Sequence, residues 1–233
     1  MNEPFFRYRT ATFEADENTA FLTFYRPDGT EETAYPFYDK PIRFEYDEEG
    51  FEHVSVSENG RYRCRYTPDF TGDVYYTVHD QNGKVSEKRK ISVLPSDSRG
   101  YVEIGKTDPR YLVFSDGTDF VPIGVNLAYP TEYRLSSGSE FGLSDGHGYI
   151  GMRQYERWFA SCAANGVNLV RLWLGHEYFS PDTEDAAVFR TEQFSKIDAV
   201  IALAERYGLK LKLTFEQFRF FDYEKAALSD SYA

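Results

Sequence analysis

The chain has 233 residues of which 41% are hydrophobic, enough to bury one large core or two small ones. Its formal net charge of −12 excludes a surface that tracks a phosphate backbone, which needs clustered Lys and Arg, so no nucleic acid partner is expected and the acidity reads as solubility. No stretch approaches the ~20 apolar residues of a membrane span and Met1 to Thr10 lacks the apolar core of a secretory leader, so no membrane partner is expected; the cytoplasm is the default compartment, and a secreted form with its signal removed is also compatible.

Residues 1–95 alternate with period two and carry turn signals every eight to twelve residues, the pattern of an all-β antiparallel sandwich of the immunoglobulin-like kind. Strands are expected at Ala20 to Arg26, Pro41 to Asp47, Phe51 to Ser57, Arg61 to Tyr66, Asp73 to His79 and Lys84 to Leu94. In Arg61 to Tyr66 the alternation is plainest: Tyr62, Cys64 and Tyr66 point one way, and Arg61, Arg63 and Arg65 the other. Pro27-Asp28-Gly29, Glu58-Asn59-Gly60 and Gln81-Asn82-Gly83 offer the Gly or Asn that tight turns need for positive φ. His53 and His79 have no ligand partner at metal spacing and read as packing or surface residues. Most of the 20 Phe and 19 Tyr read as core, with a stacked sugar platform as the other use.

Residues 96–119 read as a polar linker followed by a hairpin, and residues 120–233 as an incomplete parallel α/β barrel. The hairpin joins Tyr111 to Phe114 with Phe120 to Val125 through Ser115-Asp116-Gly117-Thr118, and its second run continues to Asn126 as the first barrel strand. After a long Gly- and Ser-rich loop, a helix over Met152 to Asn165 places Tyr155, Phe159, Cys162 and Ala163 on one face and stops at Gly166. The second strand is Asn168 to Leu174. Its helix is capped near Thr191, buries Phe194, Ile197, Ile201 and Ala204, and stops at Gly208 before a third strand, Leu209 to Phe215, and a short helical piece around Tyr223 to Leu228. Cys64 and Cys162 fall in different domains on apolar faces, so they read as free thiols, as a reducing compartment would allow.

Strand parity turns Val170 and Leu172 toward the helices and Leu169, Arg171 and Trp173 toward the barrel interior; in the third strand Leu211, Leu213 and Phe215 face the helices while Lys212, Thr214 and Glu216 face inward. A charge inside a barrel needs a partner, so Arg171 and Glu216 read either as a mutual ion pair or as parts of a polar site at the mouth. Asn126 ends the first strand at that mouth. Tyr129 and Trp173 are candidates to stack on a sugar ring or to plug the barrel, and His176 with Glu177 to hold sugar hydroxyls. Gly175-His176-Glu177 and Asp145-Gly146-His147-Gly148 lack metal-ligand spacing, so no metal and no cofactor are expected.

Gly100-Tyr101-Val102-Glu103-Ile104, Tyr111-Leu112-Val113-Phe114-Ser115-Asp116-Gly117 and Ile123-Gly124-Val125-Asn126 resemble the opening of clan A glycoside hydrolase barrels, and Asn165-Gly166-Val167-Asn168-Leu169-Val170-Arg171-Leu172-Trp173 resembles their second strand. The nearest likeness is to family 5 cellulase-like and apiosidase-like enzymes with an N-terminal β-sandwich, and residues 20–95 resemble that sandwich too, including Pro27-Asp28-Gly29 and the corner from Tyr66-Thr67-Pro68 to Gly72. The resemblance implies a (β/α)8 TIM barrel and a retaining O-glycosidase acting on a poly- or oligosaccharide. It implies an acid/base glutamate after strand four and a nucleophilic glutamate on strand seven, with the strand-two arginine, here Arg171, orienting the nucleophile. Retention requires those carboxyls about 5–5.5 Å apart. Neither position lies among these 233 residues, so no catalytic residue is assigned and the chain by itself is expected to be inactive. Pairing Glu177 with Glu216 as acid and base has no support in the spacing. The alternative is a non-catalytic carbohydrate-binding or docking module. Three parallel strands also leave an open edge, from which self-association is expected.

Overall fold

The computed structural model describes residues 4–128, 130, 149–174, 178–179 and 190–214. The chain is β-rich with two helices among these residues, and it divides into two compact units, 1–39 with 60–121 and 40–59 with 122–233. The hairpin at 40–59, read from sequence within the first domain, groups with the second unit because its inward face engages residues of that unit.

In the first unit the strands are β1 (Phe5–Phe6), β2 (Ala11–Glu14), β3 (Thr19–Tyr25), β4 (Glu31–Ala34) and β5 (Phe37–Asp39). The second unit contributes β6 (Ile42–Tyr46) and β7 (Glu52–Val56), and the first resumes with β8 (Arg61–Tyr66), β9 (Gly72–Asp80), β10 (Arg89–Leu94), β11 (Val102–Ile104), β12 (Leu112–Phe114) and β13 (Asp119–Phe120). A five-stranded sheet runs β1-β10-β9-β3-β4, antiparallel except for β1 on β10, and a three-stranded sheet runs β2-β8-β5. The two sheets share one core. Phe13, Cys64 and Tyr66 from the smaller sheet meet Leu22, Phe24, Val74, Ile91 and Val93 from the larger, and Phe24 stacks on Tyr66 with centroids 3.8 Å apart. Burial of rings this size stabilises by about 1.5–3 kcal/mol each. The Tyr66 hydroxyl donates a hydrogen bond to Glu32 at 2.6 Å, and Arg26 bridges Glu32 and Asp69, so the polar tip of a buried ring is satisfied.

Cys64 and Cys162 are both free, and burial raises both thiols. Gly29 and Gly83 take positive φ as their turns require. Gly60 does not; a Cβ there would run into the ring of Tyr38, so this glycine serves a close approach rather than a left-handed turn. The expected strand at Lys84 to Leu94 begins only at Arg89, and the short strands β2, β4 and β5 stand where none was read.

The run from Phe120 to Asn126 is also split. Asp119–Phe120 closes an antiparallel meander with β11 and β12, while β14 (Gly124–Leu127) begins a new sheet; Pro122 between them has no N–H to continue the ladder.

The second unit continues with α1 (Met152–Ala164), β15 (Leu169–Trp173), α2 (Thr191–Arg206) and β16 (Lys210–Thr214). Strands β14, β15 and β16 pair in parallel and in that order. Val170 and Leu172 are fully buried with Tyr155 and Phe159 of α1 and Val200, Leu203 and Ala204 of α2, and Leu211 and Leu213 pack against the same core. Gly166 and Gly208 end the helices at φ 76° and 69°. The expected inner face of α2 is corrected: Phe194 is 46% and Ile201 39% exposed, while Gln193, Val200, Leu203 and Ala204 are buried. The buried stripe is set by packing on β15 and β16 rather than by the most apolar helical line. Thr191 is the first helical residue, and Arg190 holds the N-cap position in extended backbone. In α1, Ala163 is exposed and Tyr155 and Phe159 carry the burial.

Candidate functional site

The parallel sheet has one face covered by α1 and α2 and one polar face. Register aligns Asn126, Arg171 and Lys212 in a single row across β14, β15 and β16, with Trp173 and Thr214 one step further toward the strand ends. Arg171 Nε donates to Thr214 Oγ1 at 2.9 Å, and its guanidinium carbon lies 5.3 Å from the Trp173 ring centroid. That hydrogen bond and ring contact hold the guanidinium on this face. Lys210 and Lys212 share the parity of Arg171, and the three strands contain no Asp or Glu. Within a chain of net charge −12, the described residues of these strands place cations and no carboxylate on this face.

A second polar centre lies in the same unit and was not read from the sequence. Hairpin β6–β7 alternates so that Ile42, Phe44 and Tyr46 oppose Val56, Val54 and Glu52, which puts an acid in an inward position. Glu52 Oε2 accepts the Met152 N–H at 2.6 Å, Glu52 Oε1 accepts the Tyr178 hydroxyl at 2.8 Å, and the Tyr46 hydroxyl donates to Oε2 at 3.3 Å. The Glu52 N–H donates to the Tyr149 carbonyl at 2.6 Å. The carboxylate thus supplies from a distant hairpin the acceptor that α1 lacks at Gly151, whose φ is 63° and whose missing Cβ leaves room for it. Lys196 of α2 donates to the Tyr178 carbonyl at 3.1 Å and sits 4.1 Å from that ring's centroid. Burial raises the Glu52 carboxyl above its ordinary value despite these donors, and burial lowers the Lys196 amine despite the nearby Glu52. Tyr46 is pushed up to about 12, first by burial and then by the charge of Glu52. The inward parity of Glu52 beside Val54 and Val56 was the available signal.

Of the residues singled out from the sequence, Asn126, Arg171 and Trp173 fall on the polar face of the sheet, with Thr214 and Lys212 beside them. Tyr129, His176, Glu177 and Glu216 lie outside the described residues, as do the loop residues 131–148 and the helical piece expected around Tyr223 to Leu228. The partner the structure gives Arg171 is Thr214. His53 is exposed and bonded to Asp47 at 3.0 Å, which holds that carboxyl low. Among the described residues no group of three or more His, Cys, Asp or Glu is arranged to hold a metal, and no helix is long and apolar enough to cross a membrane.

No protein-family model matches the chain, and no curated protein does. Among solved structures it is similar to a "putative glycoside hydrolase" from Bacteroides vulgatus ATCC 8482, at 17% identity and a TM-score of 0.55, over 95% of this chain and 44% of that one. The amylomaltase of Corynebacterium glutamicum matches at 11% identity over 87% of this chain and 27% of that one, with a TM-score of 0.22, too low for a common fold. The chain therefore spans less than half the length of the Bacteroides structure and shares with it a fold.

Proposed function

We propose that the chain forms the N-terminal part of a retaining glycoside hydrolase. In this reading the first unit is an immunoglobulin-like β-sandwich and β14 to β16 are the first three strands of a (β/α)8 barrel. The support is the in-register parallel sheet with both helices on one face, together with the fold likeness to part of a glycoside-hydrolase-like structure. Parallel barrels direct the uncovered face inward and gather reacting groups at the C-terminal strand ends. The edges of β14 and β16 are where further strands would pair.

The observation that carries the reading is the polar row itself: Arg171 and Lys212 share the sheet face opposite the helices, and among the described residues their strands offer no carboxylate. Cations inside a barrel call for an acid brought to them by the rest of the site. In a retaining glycosidase that acid is the nucleophile, and a guanidinium within hydrogen-bond reach keeps it ionised and aimed at the anomeric carbon. Arg171, held by Thr214, takes that positioning role. Asn126, His176 and Glu177 are assigned to sugar hydroxyls, Trp173 and Tyr129 to stacking, and Glu216 to the same mouth.

Hydrolysis of a panel of aryl glycosides by the natural full-length protein tests this. Turnover is expected, and Arg171→Met should lower kcat/KM about 100-fold, equivalent to about 2.7 kcal/mol of transition-state stabilisation. Absence of turnover on every glycoside, or an Arg171→Met variant as active as the parent, would overturn the reading.

A further inference from the structure

The two outer faces of the first unit differ in kind. On the smaller sheet, β8 presents Arg61, Arg63 and Arg65, with Arg63 paired to Asp39 at 3.1 Å. On the larger sheet, the outward positions of β4, β3 and β9 are Glu31 and Thr33; Phe21, Thr23 and Tyr25; and Tyr75, Thr77 and His79, with Tyr35 following β4. These three strands give that face no aliphatic side chain.

Its geometry is ordered. Phe21 stacks on its cross-strand partner His79 at 4.4 Å and 19°, and Tyr35 meets Phe21 at 6.3 Å, so three rings form a strip across three strands. Beside the strip, Thr23 and Thr77 are cross-strand partners only 6% and 3% exposed although they point outward, because the flanking rings cover them. Both hydroxyls lie within hydrogen-bond distance of His79 Nε2, at 3.2 and 3.0 Å, and Thr77 also meets the Tyr25 hydroxyl at 3.3 Å. That network fixes the His79 ring beneath Phe21. Tyr25 and Tyr75 form a second aromatic row beyond the threonines, and Lys88 sits 3.8 Å from the Tyr25 ring centroid.

We propose that this face binds a neutral polysaccharide, with Tyr35 as the principal stacking ring. A pyranose ring has an apolar C–H face and a hydroxyl rim, which matches rigid rings flanked by hydroxyls better than it matches the aliphatic patch of a protein interface. The charges on and around the face balance, with Glu31 and Asp73 against Lys88 and Lys90, and Lys90 is already bonded to Asp73 at 2.7 Å, so the face selects no charged ligand. Tyr35 is 70% and Tyr75 43% exposed, while Phe21 and His79 beside Tyr35 are locked, so little ordering is required on binding. The proposal stands apart from the hydrolase reading, since binding here and turnover at the parallel sheet are measured separately.

Affinity electrophoresis of the 233-residue chain through gels holding mixed-linkage β-glucan, xyloglucan, glucomannan, galactan, arabinan or dextran provides the test, with polygalacturonate as the charged control. At least one neutral polymer should retard the protein; Tyr35→Ala should raise its Kd tenfold or more, and Tyr111→Ala, which removes a ring exposed elsewhere, should leave it unchanged. Retardation by none of the neutral polymers, retardation by polygalacturonate alone, or equal binding by Tyr35→Ala would overturn the proposal. So would light scattering that shows Tyr35→Ala converting a dimer to a monomer, which would assign the face to a second copy of the chain.

Discussion

Two charged centres in the second unit make opposite use of their surroundings. Around Glu52 every need is met within the chain: a helix N–H, two tyrosine hydroxyls and a nearby ammonium converge on one carboxylate. On the polar face of the parallel sheet, Arg171 leans on a neutral threonine and an indole, and the described residues of its sheet's strands include no acid. The first arrangement is what a structural clamp needs, since a buried charge with a full set of donors fixes a hairpin onto a helix terminus. The second is what a site needs when its counter-charge comes from elsewhere. The degree to which a charge is satisfied locally is thus a guide to whether it holds the fold or awaits a partner.

Truncating each centre should separate them most strongly. Glu52→Ala strands the Met152 N–H and the Tyr178 hydroxyl away from water and should lower unfolding stability by about 3 kcal/mol in denaturant titration. Arg171→Met in the same chain should change stability by less than about 1 kcal/mol, because the one hydroxyl it deprives of a donor, that of Thr214, is neutral and only half-buried. Equal losses in the two variants would erase the distinction.

A smaller effect sharpens it. The Glu52 carboxyl is held above its ordinary 4.5, so above that value the folded chain binds more protons at this group than the unfolded chain does. Its contribution to stability is therefore full below pH 4.5 and falls as pH climbs through the raised folded value. Lys196 runs the other way: its amine is held below 10.5, so its contribution rises with pH between the folded value and that limit. Glu52→Gln keeps one of the two acceptor oxygens and removes the titratable proton. The Tm of Glu52→Gln minus that of the parent should grow as pH rises from 4 to 8, and a difference that stays flat or shrinks would contradict the assignment.

Much of this was legible in the sequence, and the residues explain why. Alternation in Arg61–Tyr66 and in Leu169–Trp173 reports a dry and a wet face directly, and the structure buries Cys64, Tyr66, Val170 and Leu172 as that parity requires. Gly166 and Gly208 mark helix ends because each supplies the left-handed residue that closes its helix. Strands β2, β4 and β5 escaped because three- and four-residue segments carry too few alternations to stand out, and their pairing is set by neighbours distant in sequence. The exposed Phe194 and Ile201 show the limit of helical periodicity: hydrophobicity marks a stripe, and contact with a particular sheet decides which part of it is buried. Glu52 was hidden for a related reason, since its donors come from α1 and from Tyr178, about 100 residues or more along the chain.

The central claim is that the Arg171 row is the inside of a glycosidase, and covalent trapping tests it most directly. The natural full-length protein would be incubated with a panel of activated 2-deoxy-2-fluoroglycosides, the labelled peptide sequenced by mass spectrometry, and the adduct solved crystallographically. The account predicts one labelled glutamate whose carboxyl group lies within hydrogen-bond reach of the Arg171 guanidinium. A label on a residue remote from Arg171, or Arg171 found against solvent or against the helices, would contradict it.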